Sequence, residues 1–208
     1  MCKSFEISMI AGVVSYAIAL YMWFRNYKND RWHSIFLFVV SSIQFMEAIL
    51  WNAQNGGTMG SGLTKLVIAL FIPLILSLEP IAALFGANAV GKQIDTYDKI
   101  IYITICVGMF MAFTTHNSFP NVFSDGTIHF QNEFSPRKNM WVYWVFYFLL
   151  VYPFLKYGGV TKFYVIMAIV VALALLMATG QISIGSSWCL YANITSLLVL
   201  FYPFIDQM

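Results

Sequence analysis

Seven apolar runs, separated by polar residues, dominate the hydrophobic pattern of this chain. Each approaches the length of about 20 apolar residues that a membrane-spanning helix needs, and polar flanking turns or a thin bilayer would complete the shorter ones. Hydrophobic and polar residues do not alternate with a period of two, which argues against a membrane β-barrel. The pattern therefore predicts an all-α polytopic membrane protein: a bundle of seven transmembrane helices forming a single domain over residues 1–208. The runs are Ile7–Phe24, Ile35–Trp51, Leu66–Phe85, Ile100–Phe113, Met140–Leu155, Phe163–Ala178 and Trp188–Ile205.

Tryptophan and basic residues mark the ends of these runs. All six Trp lie at or near a run end, where the indole ring meets apolar chains while its N–H stays hydrated. If seven spans alternate across the membrane, seven of the eleven basic residues fall on one side and four on the other. Because the more basic side is usually cytosolic, we expect the N-terminus outside and the C-terminus in the cytosol. The richer side holds Arg25, Lys28, Arg31, Lys92, Lys99, Lys156 and Lys162.

Composition narrows the class of protein further. The 208 residues are 60% hydrophobic and 10% charged, with a formal net charge of +2, whereas a soluble domain carries about 25% charged residues. A disordered chain is thereby excluded, and a soluble enzyme or a protein that grasps nucleic-acid phosphates is disfavoured. No HExxH, CxxC or G-x-S-x-G motif occurs, no His lies within a run, and the last run has no Lys to hold retinal. We therefore expect no metal, haem or other cofactor and no nucleic-acid partner.

The longest connection lies between the fourth and fifth runs, from about Thr114 to Asn139. It contains too many apolar residues for a free linker, and Asp125-Gly126 stands between short apolar pairs, which is a hairpin signal. We expect a small extracellular β-hairpin over the outer mouth of the bundle. The alternative is an irregular loop held by aromatic contacts.

Polar side chains recur at helical spacing in the second run. Gln44, Glu47 and Trp51 follow one another at intervals of three and four residues, so they share one face of a helix. An ionisable group inside a span costs about 2.5–3.5 kcal/mol on insertion scales, which makes Glu47 a candidate functional residue. Asn193 and Ser196 form a similar stripe in the seventh run. If these two spans face each other, the stripes define an outward-opening polar pocket for a ligand or ion. The alternative is interhelical hydrogen bonding that only fixes packing.

Glu79 is the other carboxyl within a run, and it directly precedes Pro80. A proline lacks the N–H that would bond the carbonyl one turn earlier, here that of Leu76. Because a freed carbonyl at membrane depth needs a partner or a water-lined cavity, Glu79 is a candidate proton or cation relay. The alternative is a protonated Glu79 that hydrogen-bonds a neighbouring helix beside a simple kink.

Three short motifs resemble those of an uncharacterised family of small seven-span membrane proteins encoded by large DNA viruses of algae and protists. They are QFMEAILW at Gln44–Trp51, EPIA beginning at Glu79, and SWC beginning at Ser187. In that family a glutamine often precedes the proline, so Glu79 departs from its pattern. The resemblance implies a viral or protist membrane protein and supplies no activity.

The polar residues within the runs lead to three hypotheses for function. The first is an integral membrane protein that binds or passes a small polar solute or a cation, protons included, through Gln44, Glu47, Glu79 and Asn193. The second is a membrane or virion scaffold that transports nothing. The third, ranked lowest, is an intramembrane enzyme, because no metal ligand or evident nucleophile accompanies Glu47. The expected partners are the lipid bilayer, the solute or cation, and a second copy of the chain in a homo-oligomer.

Overall fold

The computed structural model describes residues 4–56, 61–116, 121–122, 128–129 and 136–158, together with Leu197, Leu200 and Phe201. Within this part of the chain, five long helices follow one another in alternating directions. They are α1, Phe5–Arg25; α2, Asp30–Asn55; α3, Gly62–Val90; α4, Thr96–His116; and α5, Pro136–Tyr157.

Local chemistry sets the two ends of α1. The hydroxyl of Ser4 accepts a 3.3 Å hydrogen bond from the backbone N–H of Ile7, which caps the first turn. At the other end Asn26 adopts the left-handed conformation with φ 50°, and its N–H bonds the carbonyl of Met22. The chain then reverses over a four-residue turn and enters α2 at Asp30. This turn and the α3–α4 turn lie at the same end of the bundle, hereafter the basic end.

Helix α3 changes its winding along its length. It begins as α-helix over Gly62–Leu66, widens to a π-helical turn over Val67–Phe71, continues as α-helix over Ile72–Phe85 and tightens to 3₁₀ over Gly86–Val90. Pro80 lies inside the second α-helical part. The Glu79-Pro80 step therefore does not end the helix. Single π-turns within α-helices occur frequently at functional sites.

The helices pack in the order α1, α2, α3, with α4 and α5 both against α3. The hydroxyl of Ser34 on α2 donates a 2.7 Å hydrogen bond to the carbonyl of Ala19 on α1. On its other side, the indole of Trp32 donates a 2.7 Å hydrogen bond to the carbonyl of Ala83 on α3. The hydroxyl of Tyr102 on α4 reaches the carbonyl of Leu149 on α5 at 2.8 Å. In each of these three hydrogen bonds a side chain bonds directly to the backbone of another helix.

The described helices expose many large apolar side chains and bury several polar ones. Outward-facing residues include Ile10 and Val13 on α1, while Ser8 and Ser15 on the same helix are fully buried. In a soluble protein, buried polar groups and extensive exposed apolar surface are uncommon, because burying polar groups removes them from water. Helices α1 to α4 are also long and apolar enough to cross a membrane. These helices are consistent with an integral membrane protein.

The predicted seven-helix bundle is wrong for the part of the chain that the structure describes. The first five predicted runs all lie within helices, but only four of those helices qualify as membrane spans. In the fifth helix the apolar stretch whose side chains are described is Val145–Tyr157, which is shorter than a span. The described part of the chain thus has four candidate spans rather than seven. The sixth and seventh runs, Phe163–Ala178 and Trp188–Ile205, lie outside the described residues except for three single positions.

The expected hairpin cap between α4 and α5 is not established. Asn121–Val122 and Ile128–His129 pair antiparallel, with Asn121 opposite His129 and Val122 opposite Ile128. Among the described residues of this connection these two pairs are the whole ladder, which does not amount to a layer over the bundle, and the described fold is all-helical. The turn at Asp125-Gly126 lies outside the described residues.

Candidate functional site

Two faces of α2 are occupied by its neighbours α1 and α3. Toward α1, the hydroxyls of Tyr16 and Ser42 share a 2.8 Å hydrogen bond, and the Tyr16 ring packs edge-on against Phe45 with centroids 4.9 Å apart. Toward α3, Trp32 bonds Ala83, and Ile43 belongs to an apolar cluster with residues of α3. At about 100° per residue, these two contact faces lie on roughly opposite sides of α2.

Gln44 lies on a third face of α2. Counting about 100° per residue, it is rotated by more than about 100° from the centre of either contact face. Ser41 and Glu47 flank it, on the sides toward α1 and α3 respectively. Ser41 and Gln44 are completely buried, and Glu47 is 8% exposed. Ser41, Gln44 and Glu47 are therefore all buried, and Gln44 lies between the two faces of α2 that contact α1 and α3.

The amide of Gln44 is the central group of this face. Neither its oxygen nor its nitrogen has a hydrogen-bond partner among the described residues, and the hydroxyl of Ser41 has none either. Leaving a buried donor or acceptor unsatisfied costs about 1–3 kcal/mol. Since the amide both donates and accepts, this face can bind a small molecule that does the same, such as water or a hydroxylated solute. A carboxyl one turn away, on Glu47, can in addition hold a cation or a proton.

The buried polar face continues toward the basic end through His33. This residue stands eleven positions before Gln44, which at about 100° per residue returns it close to the same side of the helix. His33 is 7% exposed, and its ring lies parallel to that of Phe154 with centroids 5.6 Å apart. In the sequence His33 stands outside the apolar runs, two residues before the second run begins at Ile35. The spacing of 11 residues was the signal that could have joined it to the stripe.

Glu79 lies in the contact between α2 and α3. It is fully buried, and it stands one helical turn from Ala83, which bonds Trp32 of α2. One turn in the other direction is Ile75, a member of the apolar cluster shared with α2. Glu79 therefore points to the α2 side of α3.

The depth of Glu79 follows from the antiparallel register of the two helices. With Trp32 level with Ala83, Glu79 is level with about residues 36–39 of α2. Glu47 is then about 12–16 Å further along the helix axis, at 1.5 Å per residue. The two carboxyls do not form one site. Instead Glu79 lies at the depth of Leu37 and Val40, the apolar positions that separate His33 from Ser41 on α2.

The remaining predicted site residues divide into two groups. Trp51 is 8% exposed and belongs to the apolar cluster with Val67 and Ile68 at the α2–α3 contact. Asn193 and Ser196 lie outside the described residues, so the pocket between the second and seventh runs stays a prediction. In the part of the chain that is described, no three His, Cys, Asp or Glu side chains are grouped closely enough to hold a metal ion.

Comparisons with protein-family models, curated proteins and solved structures found no match to this chain. The resemblance to small membrane proteins of large DNA viruses therefore stays a prediction.

Proposed function

We propose that this protein is an integral membrane protein that binds or passes a small polar solute or a cation, protons included, along the buried face of α2. The amide of Gln44 carries the proposal, because both its polar atoms are buried without a hydrogen-bond partner among the described residues. An apolar side chain of similar size would avoid that cost in free energy. A guest molecule that bonds the amide offsets it.

The order of polar groups along the bundle supports passage as well as binding. Glu47, Gln44 and Ser41 succeed one another at three-residue intervals, or about 4.5 Å along the helix axis. Glu79 then supplies a carboxyl from α3 at the depth where α2 has only apolar residues, and His33 follows toward the basic end. Carboxylate oxygens and imidazole nitrogens accept protons, while the hydroxyl and amide hold water in between.

The orientation belongs to the same proposal. We place the basic end in the cytosol, since Arg25, Arg31 and Lys92 lie there and basic residues favour that side. The N-terminus is then outside and Glu47 lies nearer the outer surface than Glu79. The C-terminus, expected in the cytosol, lies outside the described residues.

Ion flux into liposomes tests the proposal. The full chain is reconstituted, and proton and monovalent-cation uptake are followed with enclosed dyes. We expect the flux to fall about ten-fold or more in each of three variants: Glu47→Gln, Glu79→Gln and Gln44→Met. Each variant loses a hydrogen-bonding group on the path, which costs about 1–3 kcal/mol, and about 1.4 kcal/mol on a barrier slows a rate ten-fold. Glu6→Gln and Gln93→Met are the matched controls, because both residues are exposed and lie outside this face. Their flux is expected to equal that of the unmodified protein.

Two results would contradict the proposal at different points. Flux that is unchanged in all three variants removes these residues from the path. A correctly folded protein that passes no ion or small solute, and binds none, removes transport itself.

A non-transporting membrane or virion scaffold is the second candidate function. The stack of His33 against Phe154 at 5.6 Å supports a scaffold, because these packed rings lie across the basic end of the polar face and would close a path there. The same liposomes separate the two functions. A scaffold shows no flux, and Gln44→Met then changes neither its assembly nor its elution as a single species.

A further inference from the structure

The last turn of α1 presents apolar side chains to the surroundings of the bundle. Leu20 is 52% exposed, Phe24 is 79% exposed, and the indole of Trp23 between them is 39% exposed. Exposed apolar residues at the end of a membrane helix face lipid, and tryptophan prefers the headgroup level. Trp23 therefore marks the membrane boundary at the basic end, on the side of α1 that faces lipid.

The guanidinium of Arg31 lies over this indole, 5.4 Å from its centroid. The adjacent acid, Asp30, cannot neutralise it, because Asp30 already binds Arg25 through hydrogen bonds of 2.6 and 2.9 Å. Among the described residues no carboxylate is ion-paired with Arg31, and its Nε is buried without a hydrogen-bond partner. The cation is thus fixed in position by an aromatic ring, without an anion from the described residues.

The acids described at this end of the bundle are already paired with other bases. They are Asp30, Asp95 and Asp98, and each is paired with Arg25 or Lys156. An anion that approaches Trp23 from the lipid side therefore meets the guanidinium of Arg31, with which none of these acids is paired.

We propose that Arg31, held over Trp23, binds the phosphate of an anionic phospholipid in the surrounding bilayer. A guanidinium offers paired N–H donors that match two phosphate oxygens, and lipid phosphates lie at the level of interfacial tryptophans. The lipid-facing position of Trp23 favours a lipid over a soluble phosphate, because the acyl chains lie against Leu20 and Phe24 while the headgroup meets Arg31. This site is independent of the polar face of α2.

Lipid retention in nanodiscs tests the site. The full chain is inserted into discs containing equal amounts of phosphatidylglycerol and phosphatidylcholine, and the lipids that remain bound after detergent extraction are weighed by native mass spectrometry. The unmodified protein is expected to retain phosphatidylglycerol preferentially. Arg31→Gln is expected to lower the ratio of the two lipids about five-fold, the equivalent of about 1 kcal/mol per basic residue at the membrane surface. Lys65→Gln, an exposed base at the opposite end of the bundle, is the matched control.

Three results would overturn the proposal. The unmodified protein retains both lipids equally; Arg31→Gln keeps the original ratio; or inorganic phosphate added to the discs displaces the lipid completely, which indicates a site for soluble phosphate. If Arg31→Gln fails to fold, Arg31→Lys serves in its place. Lysine keeps the charge but not the paired donors, so a lowered ratio is still expected, and an unchanged ratio contradicts recognition by the guanidinium.

Discussion

The indole nitrogen of Trp32 donates a 2.7 Å hydrogen bond to the main-chain carbonyl of Ala83, which joins the start of α2 to the end of α3. Both residues are completely buried. The bond sets the register of the two antiparallel helices, and with it the depth of Glu79 relative to Glu47. The Trp32 ring also stacks on Phe154 of α5 with centroids 4.7 Å apart. One side chain thus organises three helices at the basic end.

Trp32→Phe is expected to lower the free energy of unfolding by about 1–3 kcal/mol. The substitution leaves the buried carbonyl of Ala83 without this donor and removes part of the ring that packs on Phe154. Thermal unfolding in detergent, followed by circular dichroism, measures the effect. Trp23→Phe is the matched control, with an expected loss below about 1 kcal/mol because Trp23 is exposed and a phenyl ring keeps a face for Arg31. Equal losses in the two variants would contradict the role of the Trp32–Ala83 bond.

Gly86→Ala is expected to destabilise the protein by about 1–3 kcal/mol through overpacking. A Cβ at Gly86 would lie 2.5 Å from Cδ1 of Trp32, and the hydrogen-bonded, stacked indole cannot move aside without losing its contacts. A Cβ at Gly108 in α4 would have no neighbouring atom within 4 Å. Gly108→Ala is therefore expected to stabilise the helix by up to about 1 kcal/mol, since alanine favours the helix more than glycine does. Thermal unfolding of both variants checks the opposite signs, and a stable Gly86→Ala protein would refute the close approach.

Asp30→Asn is expected to lower the free energy of unfolding by about 3–5 kcal/mol. Removing one partner of a buried ion pair leaves the charge of the other partner uncompensated. The carboxylate is 2% exposed and bonds Arg25, and it also accepts the N–H of Tyr27 at 2.9 Å. Asp95→Asn removes a carboxylate that is 60% exposed, and its cost is expected to stay below about 1 kcal/mol. Chemical unfolding of the two variants gives the comparison. Similar midpoints would show that burial of Asp30 does not matter.

Lys156→Met is expected to lower the melting temperature by the same amount from about pH 6 to about pH 9. Hydrogen bonds to Asp95, and then to Asp98, raise the pKa of Lys156 above its ordinary value. A raised pKa gives stability that is fully present below the pKa of the unfolded chain, about 10.4, and is lost only as the pH rises through the folded value. The exposed Lys92, which forms no ion pair among the described residues, provides the control Lys92→Met. If the lowering of the melting temperature by Lys156→Met became smaller between about pH 6 and about pH 9, Lys156 would not stay charged over this range.

Local periodicity was enough to locate the first five helices, because each apolar run exceeds what a turn can contain and is bounded by polar residues. It was not enough to count membrane spans. Among the described residues four helices are long and apolar enough to cross a membrane, because a span needs about 20 apolar residues and the described apolar stretch of α5, Val145–Tyr157, is shorter. The same holds for the hairpin signal at Asp125-Gly126, which predicts a turn but not how many residue pairs form beside it.

The sequence by itself determined that the chain is built from apolar helices and that Gln44, Glu47 and Glu79 lie within them, since these properties depend only on neighbouring residues. Only the tertiary structure decided which way those side chains point. Gln44 lies between the faces of α2 that contact α1 and α3, Glu79 lies on the α2 side of α3, and Arg31 stands over Trp23 while Asp30 binds Arg25. The reason is physical: helical spacing fixes the angle between residues on one helix, whereas the rotation and register of one helix against another depend on long-range contacts such as Trp32 with Ala83.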